Sequence, residues 1–251
     1  MADNPLKTSD FSTKILEIMD HVEYRRIENG EDMEAVERLR YKAYKAREVL
    51  PVAAKSMIDE EDFDSQAYVF GLYYYEQLVS TIRIHHVTPD HRVSQSGGIF
   101  PVEMDAFLDA GLSLIDPARF AVDPELSGEM PWIPYLTLRP NIVAAAHFRA
   151  DRVMQHVRPA HAAFYKRVFY ADTVVESRMT ETYGFDLTLM ATNVIEVGRK
   201  LLTRYPFFIS SASEQRMMYS RSDPSDTLPP LTIIPTARFV PVGQLGTDLP
   251  L

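Results

Sequence analysis

The spacing of apolar positions divides the chain into short amphipathic units. Phe11, Ile15, Ile18 and Met19 recur at helical spacing, and residues 22–27 then alternate as a short strand does. Asn29 is placed to cap the next element, in which Glu31 and Asp32 occupy the first turn and Val36, Leu39, Ala43 and Tyr44 share one face. This predicts a helix to about residue 48, stopped by Pro51. Residues 68–75 and 78–87 are β-rich runs separated by Glu76-Gln77, a hairpin whose turn lacks the usual Gly or Asn. Residues 88–99 read as loop by composition, and a helix through Met104, Phe107 and Leu108 leads to a strand at 118–122 closed by Asp123-Pro124. Pro140 reads as the first residue of a helix carrying Ile142, Val143, Ala146 and Phe148. Strands at 153–157, 171–176 and 185–191 then alternate with helices at 160–169 and 192–204, which predicts an α/β or α+β sheet with helices packed on it. Six prolines crowd residues 222–251, a stretch read as an extended tail that either wraps the domain or is partly disordered.

A chain of 251 residues with 46% hydrophobic residues can build one large core with appendages. The divisions expected are an N-terminal helical extension (1–21), a main domain (22–205) and a proline-rich tail (206–251). Acids outnumber bases 35 to 26, a net charge of −9, which argues against general nucleic-acid binding. The absence of cysteine excludes disulfides, thiolate metal sites and a cysteine nucleophile. Met1-Ala2-Asp3-Asn4-Pro5 carries an acid where a signal peptide would be basic, and no uncharged run approaches the length of a membrane span. A soluble, cytoplasmic protein is therefore expected.

The densest chemistry lies at Asp59-Glu60-Glu61-Asp62-Phe63-Asp64, five carboxylates in six residues. Such a run is either a solvated face or, if ordered, needs cations nearby. Arg83 and Arg119 each stand in an otherwise apolar strand-like run, where burial without a carboxylate partner would be costly. Tyr73, Tyr74 and Tyr75 read as sheet packing, and histidines 85, 86, 147, 156 and 161 are scattered without the context of a metal motif. No Gly-x-Ser-x-Gly elbow is present.

Taken in order, several motifs coincide with one family. Arg40 and Tyr44 give a helical arginine followed four residues later by an aromatic. Asp59, Glu61, Phe63 and Asp64 fall on an acid-x-acid-x-aromatic-Asp loop. Arg83 stands in the hairpin, and Asp116 to Phe120 follow a Glu-x-x-Arg-Phe pattern with Asp replacing Glu. The segment from Val157 to Arg167 is similar to that before the late strands of one branch. Over roughly residues 24–191 the chain thus resembles the N-acyl amino acid synthases and the related acyl-homoserine-lactone synthases, acyltransferases built on the GNAT fold.

That resemblance implies a mixed, centrally splayed sheet flanked by helices, and aminolysis of a thioester. It groups Glu61, Asp59, Asp64, Arg83, Asp116 and Arg119 as catalytic residues, with Glu61 or Asp59 as general base because clustered carboxylates raise one another's pKa. Arg83 and Arg119 either pin acids of the loop or contact substrate. Arg40, Tyr44, Phe63, Phe120, Ala121 and Val122 are implied as substrate-binding, with backbone N–H groups near 120–122 meeting the oxyanion. No metal and no permanently bound cofactor is expected. The co-substrate is the acyl-phosphopantetheine thioester of an acyl carrier protein, or acyl-CoA, and the acceptor an amino acid.

Two departures bear on this. Leu50 stands where lactone synthases carry tryptophan, and residues 124–135 offer only Gly128 in place of a glycine-rich pyrophosphate loop, favouring a carrier-bound donor. Two further readings remain open: lactone synthesis from S-adenosylmethionine, and a non-catalytic acyl or carrier-binding module, which Asp116 in place of Glu leaves possible in chemical terms. Between residues 147 and 167, Arg149, Arg152, Arg158, Lys166 and Arg167 stand against the single acid Asp151. They form the candidate docking patch for an acidic carrier, followed by Arg199, Lys200 and Arg204.

Overall fold

The computed structural model describes residues 9–28, 30–49, 56–181, 183–221 and 231–240. In chain order the elements are α1 (Asp10–Ile18), β1 (Val22–Arg26), α2 (Gly30–Ala46), β2 (Ala67–Tyr74), β3 (Gln77–Val87), α3 (Gln95–Ile99), α4 (Pro101–Asp109) and β4 (Leu114–Val122). They continue as α5 (Ile133–Phe148), β5 (Arg152–Val157), α6 (Ala162–Phe169), β6 (Asp172–Thr180), β7 (Phe185–Asn193), α7 (Val194–Arg204), α8 (Ala212–Tyr219) and β8 (Thr232–Ile233).

The strands form one sheet in the order β6-β7-β5-β4-β3-β2-β1-β8. All neighbours are antiparallel except β4 and β5, which run parallel and pair only at Leu114↔Arg152 and Ile115↔Val153. Beyond those two pairs the strands diverge, so the sheet is open at its centre. This is the mixed, centrally splayed sheet that the motifs implied.

Alternation along the strands sorts the core onto two faces. Tyr68, Phe70 and Leu72 of β2 share one cluster with Leu136 and Val143 of α5 and Leu201 of α7, while the intervening Val69 meets Val36 of α2. Val87, Leu114 and Met154 pack under α4 against Met104 and Leu108. Every residue of β2 from Ala67 to Tyr73 is buried, as a strand covered on both faces must be.

Three local expectations are corrected. The hairpin turn is Tyr75-Glu76, one residue earlier than expected, since Tyr74 pairs with Gln77. Both turn residues have positive φ (46° and 64°), the pattern of a type I′ turn, built without Gly or Asn. The Tyr75 ring stacks on His21 at 4.4 Å, a contact a glycine turn would lack. Residues 95–99, expected as loop, form α3, because the Ser94 hydroxyl accepts the Gly97 N–H at 3.1 Å and caps it.

Pro140 does not begin a helix; it sits inside α5, with Pro134 in the first turn. A proline there leaves the carbonyl four residues earlier without its helical donor. That carbonyl, of Leu136, accepts instead from the Tyr24 hydroxyl at 2.6 Å, and the Tyr219 hydroxyl donates to the Pro140 carbonyl at 2.7 Å. The Tyr24 hydroxyl thus replaces the donor that the ring removes.

Residues after 205 are built into the same core where they are described. Phe207, Phe208, Ile209, Met218, Tyr219 and Ile233 are buried, and β8 pairs with β1 through Tyr24↔Ile233 and Arg25↔Thr232. The prolines at 224, 229, 230, 241 and 250 lie outside the described residues, as do Asn29, Leu50 and Pro51.

Buried histidines make stability depend on pH. His85 is fully buried with neither ring nitrogen bonded among the described residues, and burial beside Arg83 pushes its pKa down to about 4. His86, stacked on Phe148 at 4.0 Å, is likewise pushed down to about 4 by burial and by His147 and His91. Between an ordinary value of about 6.5 and about 4, the unfolded chain binds protons that the folded chain refuses, so stability falls as pH is lowered through that window. Denaturant midpoints measured from pH 7 to pH 4 should decline, and a His85→Asn, His86→Asn chain should decline less steeply. An identical slope would exclude both histidines. Comparison with the parent separates them from acids titrating nearby, Glu61 among them.

Candidate active site

The divergence of β4 from β5 opens a cavity of about 700 Å³. Its walls are mainly apolar: Ala118, Phe120, Ala121 and Val122 from β4, Ile133 and Leu138 from α5, Phe164 and Tyr165 from α6, and Phe185 and Leu187 from β7. Tyr44, Gln95, Arg119, His156 and Tyr183 are among the polar groups that line it. The volume is in the range of pockets that hold small-molecule substrates.

β4 is irregular where it lines this space. Between the pairs Thr81↔Ala121 and Arg83↔Ala118 it carries one residue more than β3, and Arg119 has φ 53°. This is a bulge, and it re-aims the Arg119 side chain toward the acidic loop.

The acidic loop is ordered by cations, as its charge density demands. Residues Glu60–Phe63 form one 3₁₀ turn, closed by reciprocal bonds in which the Asp59 and Asp62 carboxylates accept each other's backbone N–H. Arg83, fully buried, donates from Nη1 to Asp59 Oδ1 at 2.5 Å and from Nη2 to Glu61 Oε2. Arg119 donates from Nη2 to the other Asp59 oxygen, so one carboxylate joins two guanidinium groups. Although burial opposes ionisation, these two cations hold the Asp59 carboxyl down to about 2, while Asp59 in turn raises the Arg119 pKa against burial. For Glu61, burial dominates and pushes the carboxyl up, opposed by Arg83.

Other residues grouped from the sequence lie apart. Arg40 is buried and forks onto Asp62 at 2.9 and 3.0 Å with a third bond to the Met57 carbonyl; it does not line the cavity. It fixes the loop from beneath, whereas Tyr44, one turn on in α2, does line the cavity. Phe63 is 70% exposed and outside the lining. Asp64 accepts from Gln66 N–H at 2.7 Å and meets His91 at 2.8 Å, away from both arginines; burial opposes, but these partners lower its pKa. Phe120, Ala121 and Val122 line the cavity. Glu61 does not.

Asp116 belongs to a different network. It is fully buried and accepts the Ser96 N–H at 2.8 Å and the Ser96 hydroxyl at 2.5 Å, and that hydroxyl also meets His156 Nδ1 at 2.7 Å. Burial alone would raise its pKa, yet nearby His156, 3.9 Å away, and the two bonds from Ser96 hold it low. Gln95, beside Ser96, reaches Arg83 at 3.3 Å and also bonds Tyr183, tying α3 to the acidic cluster; burial pushes the Tyr183 hydroxyl up to about 12.

The basic residues between 147 and 167 are spread over the end of α5, the two ends of β5 and α6. Arg149 caps α5 and Arg152 begins β5, whereas Arg158 follows its far end, about 20 Å away for six extended residues. Lys166 and Arg167 are exposed on α6. Of the five, only Arg158 lines the cavity, where Arg47 and His161 join it.

Ser96, Gln95, Tyr183 and Arg47 were not singled out from the sequence, and His156 was read there only as one of five scattered histidines. Ser96 and Gln95 lay in a stretch that reads as loop, and nothing in their spacing connects them with Asp116. The alternation of β5 was the only signal that His156 faces something.

Known proteins share this architecture. The solved structure of FeeM, an N-acyl amino acid synthase from uncultured soil microbes, is similar at 22% identity and a TM-score of 0.60, covering 72% of this chain and 96% of that one. Escherichia coli ElaA is similar at 17% identity and a TM-score of 0.48, covering 68% and 99%. MesI, a CoA-dependent acyl-homoserine lactone synthase, is similar at 17% and 0.48, covering 72% and 90%. Among curated proteins no sequence matches. The family model of the N-acyl amino acid synthase FeeM matches residues 35–193, more than half of the chain, which therefore belongs to that family and is an N-acyltransferase enzyme.

Proposed function

We propose that the protein moves a long-chain acyl group from an acyl carrier protein thioester to the α-amine of an amino acid. The observation that carries the donor assignment is the first turn of α5. Coenzyme A bound in the usual way of this architecture needs free backbone N–H groups at that helix start for its pyrophosphate. Here Ile133 N–H donates to the Met130 carbonyl at 3.1 Å, Tyr135 and Leu136 N–H donate to the Trp132 carbonyl at 3.1 and 3.2 Å, and Pro134 has none. A donor held through its carrier rather than its pyrophosphate is consistent with this. The apolar walls of the cavity suit an acyl chain, and its polar end at Tyr44, Gln95, Arg119 and Tyr183 suits an amine and carboxylate.

In this reading the β4 backbone around 120–122, unpaired on its β5 side, meets the oxyanion, and Asp59, Arg83 and Arg119 hold the shape of the acceptor end. Arg158 and Arg47, which have no carboxylate partner among the described residues, meet the acidic carrier at the mouth.

The test is incubation with long-chain acyl carrier thioesters, acyl-CoA and mixed amino acids, read by mass spectrometry. A new N-acyl amino acid formed faster from the carrier thioester is expected. Arg158→Glu should raise the apparent KM for the carrier thioester and spare a small acyl thioester. Equal use of acyl-CoA would overturn the donor, and amides only with other amines would overturn the acceptor.

A further inference from the structure

We propose that His156 is the general base that deprotonates the attacking amine, held in one tautomer by a Ser96–Asp116 relay. This rests on the transfer of an acyl group to an amine and does not depend on which amine accepts it.

The hydrogen-bond directions follow from chemistry. Asp116 is buried and its carboxyl is kept ionised by its partners, so it only accepts. The Ser96 hydroxyl, 2.5 Å from Asp116 Oδ1, must spend its proton there. Its oxygen is then an acceptor, and His156 Nδ1 at 2.7 Å must be the donor. A neutral imidazole with the proton on Nδ1 has its lone pair on Nε2. His156 lines the cavity, so Nε2 is the basic atom presented to a substrate.

Position favours this group over the acidic loop. His156 stands on β5 across the divergence from β4, whose unpaired edge faces the same space. Glu61 is outside the lining, and its carboxylate is engaged by the buried Arg83. Asp59 is shared between two guanidinium groups. A base whose lone pairs are already bonded to cations has little left for an amine.

The step balances as follows. An amine arriving as ammonium first loses one proton to water. The neutral amine then attacks the thioester carbonyl, the C–N bond forms, and Nε2 takes the second proton to give an imidazolium. Its Nδ1–H remains bonded to Ser96, whose hydroxyl remains bonded to Asp116, so the buried carboxylate stabilises the new positive charge. As the C–S bond breaks, Nε2–H passes to the departing thiolate. Ser96 and Asp116 are positioning residues; neither changes protonation.

His156→Asn is the direct variant, since its amide can keep a donor near the Nδ1 position while deleting Nε2. With any amine and thioester the parent accepts, kcat should fall by ~10²–10⁴ with the thioester KM little changed. Ser96→Ala should give a smaller loss, again in kcat. Parental turnover in His156→Asn, or a greater loss in Glu61→Gln than in His156→Asn, overturns the assignment. A readout that needs no turnover comes from the ring ¹⁵N shifts of the parent protein, with His156→Asn giving the assignment. Protonated Nδ1 and bare Nε2 are expected, with the preference lost in Ser96→Ala, and a protonated Nε2 in the parent overturns the proposal. Should the parent transfer acyl groups to no amine, the transfer reading itself fails, whatever the tautomer.

Discussion

Replacing Arg83 with alanine should cost about 3–5 kcal/mol of folding stability, the loss typical when one partner of a buried ion pair is removed. Its side chain is fully buried, and three carboxylates lie within reach: Asp59, Glu61 and the fully buried Asp62, whose Oδ1 is 3.4 Å from Nη1. Asp62 keeps Arg40, but Glu61 loses its bonded cation and Asp59 keeps only Arg119. For a chain of this size the loss corresponds to a fall of roughly 10 °C in melting temperature. Asp59 and Glu61 are one-third exposed, so water softens the penalty and places it nearer the lower bound. A variant melting with the parent would show that the loop carboxylates are satisfied without Arg83.

Glu214→Ala should fall at the upper end of the same range. Both Glu214 and Arg139 have fully buried side chains, and the pair links α5 to α8. Arg139 also donates to the carbonyls of Phe207 at 2.7 Å and Ile209 at 2.6 Å, while Glu214 accepts from Thr236 N–H at 2.9 Å and from its hydroxyl at 2.6 Å. Removing the carboxylate strands a buried charge and two further donors together. Replacing Arg139 and Glu214 jointly by methionine should recover part of the loss, because no unpaired charge is then buried. Denaturant midpoints of the two variants measure this; a double variant less stable than Glu214→Ala would mean that the carbonyl bonds of Arg139 outweigh its charge.

Some of this was legible in the residues and some was not, for physical reasons. Five like charges in six residues cannot be ordered without cations, and two arginines in apolar runs cannot be buried without acids, so their meeting could be read from composition and spacing. Arg40 was readable as part of the same set, yet its role beneath the loop was not, because both cavity-facing and core-facing positions of α2 repeat at the same spacing. Asp116 stood in an Asp-x-x-Arg pattern that put it near Arg119 along the strand, but its hydrogen-bond partner Ser96 was not legible, because it stands on a five-residue helix too short to show a period. Pro140 misled for a related reason. Proline marks helix starts when the chain is considered alone, whereas here the Tyr24 hydroxyl, from a remote strand, makes an interior position acceptable. The cavity itself depends on β4 and β5 pairing for two residues and then parting, which no local pattern records.

The pairing of β8 with β1 sets a clock on synthesis. Tyr24 and Ile233 are neighbours in the sheet but about 200 residues apart in the chain, so at a translation rate of about 5–20 residues per second the edge of β1 waits roughly 10–40 s for its cover. Leu136 of α5, which accepts the Tyr24 hydroxyl, is made about halfway through that interval, yet until β8 follows, a strand carrying Val22 and Tyr24 presents open backbone groups to any other nascent chain. Slower elongation lengthens the exposure, and crowded polysomes multiply the wrong partners. Slower elongation is therefore expected to lower the yield of soluble protein from heterologous expression even when the finished fold is unchanged.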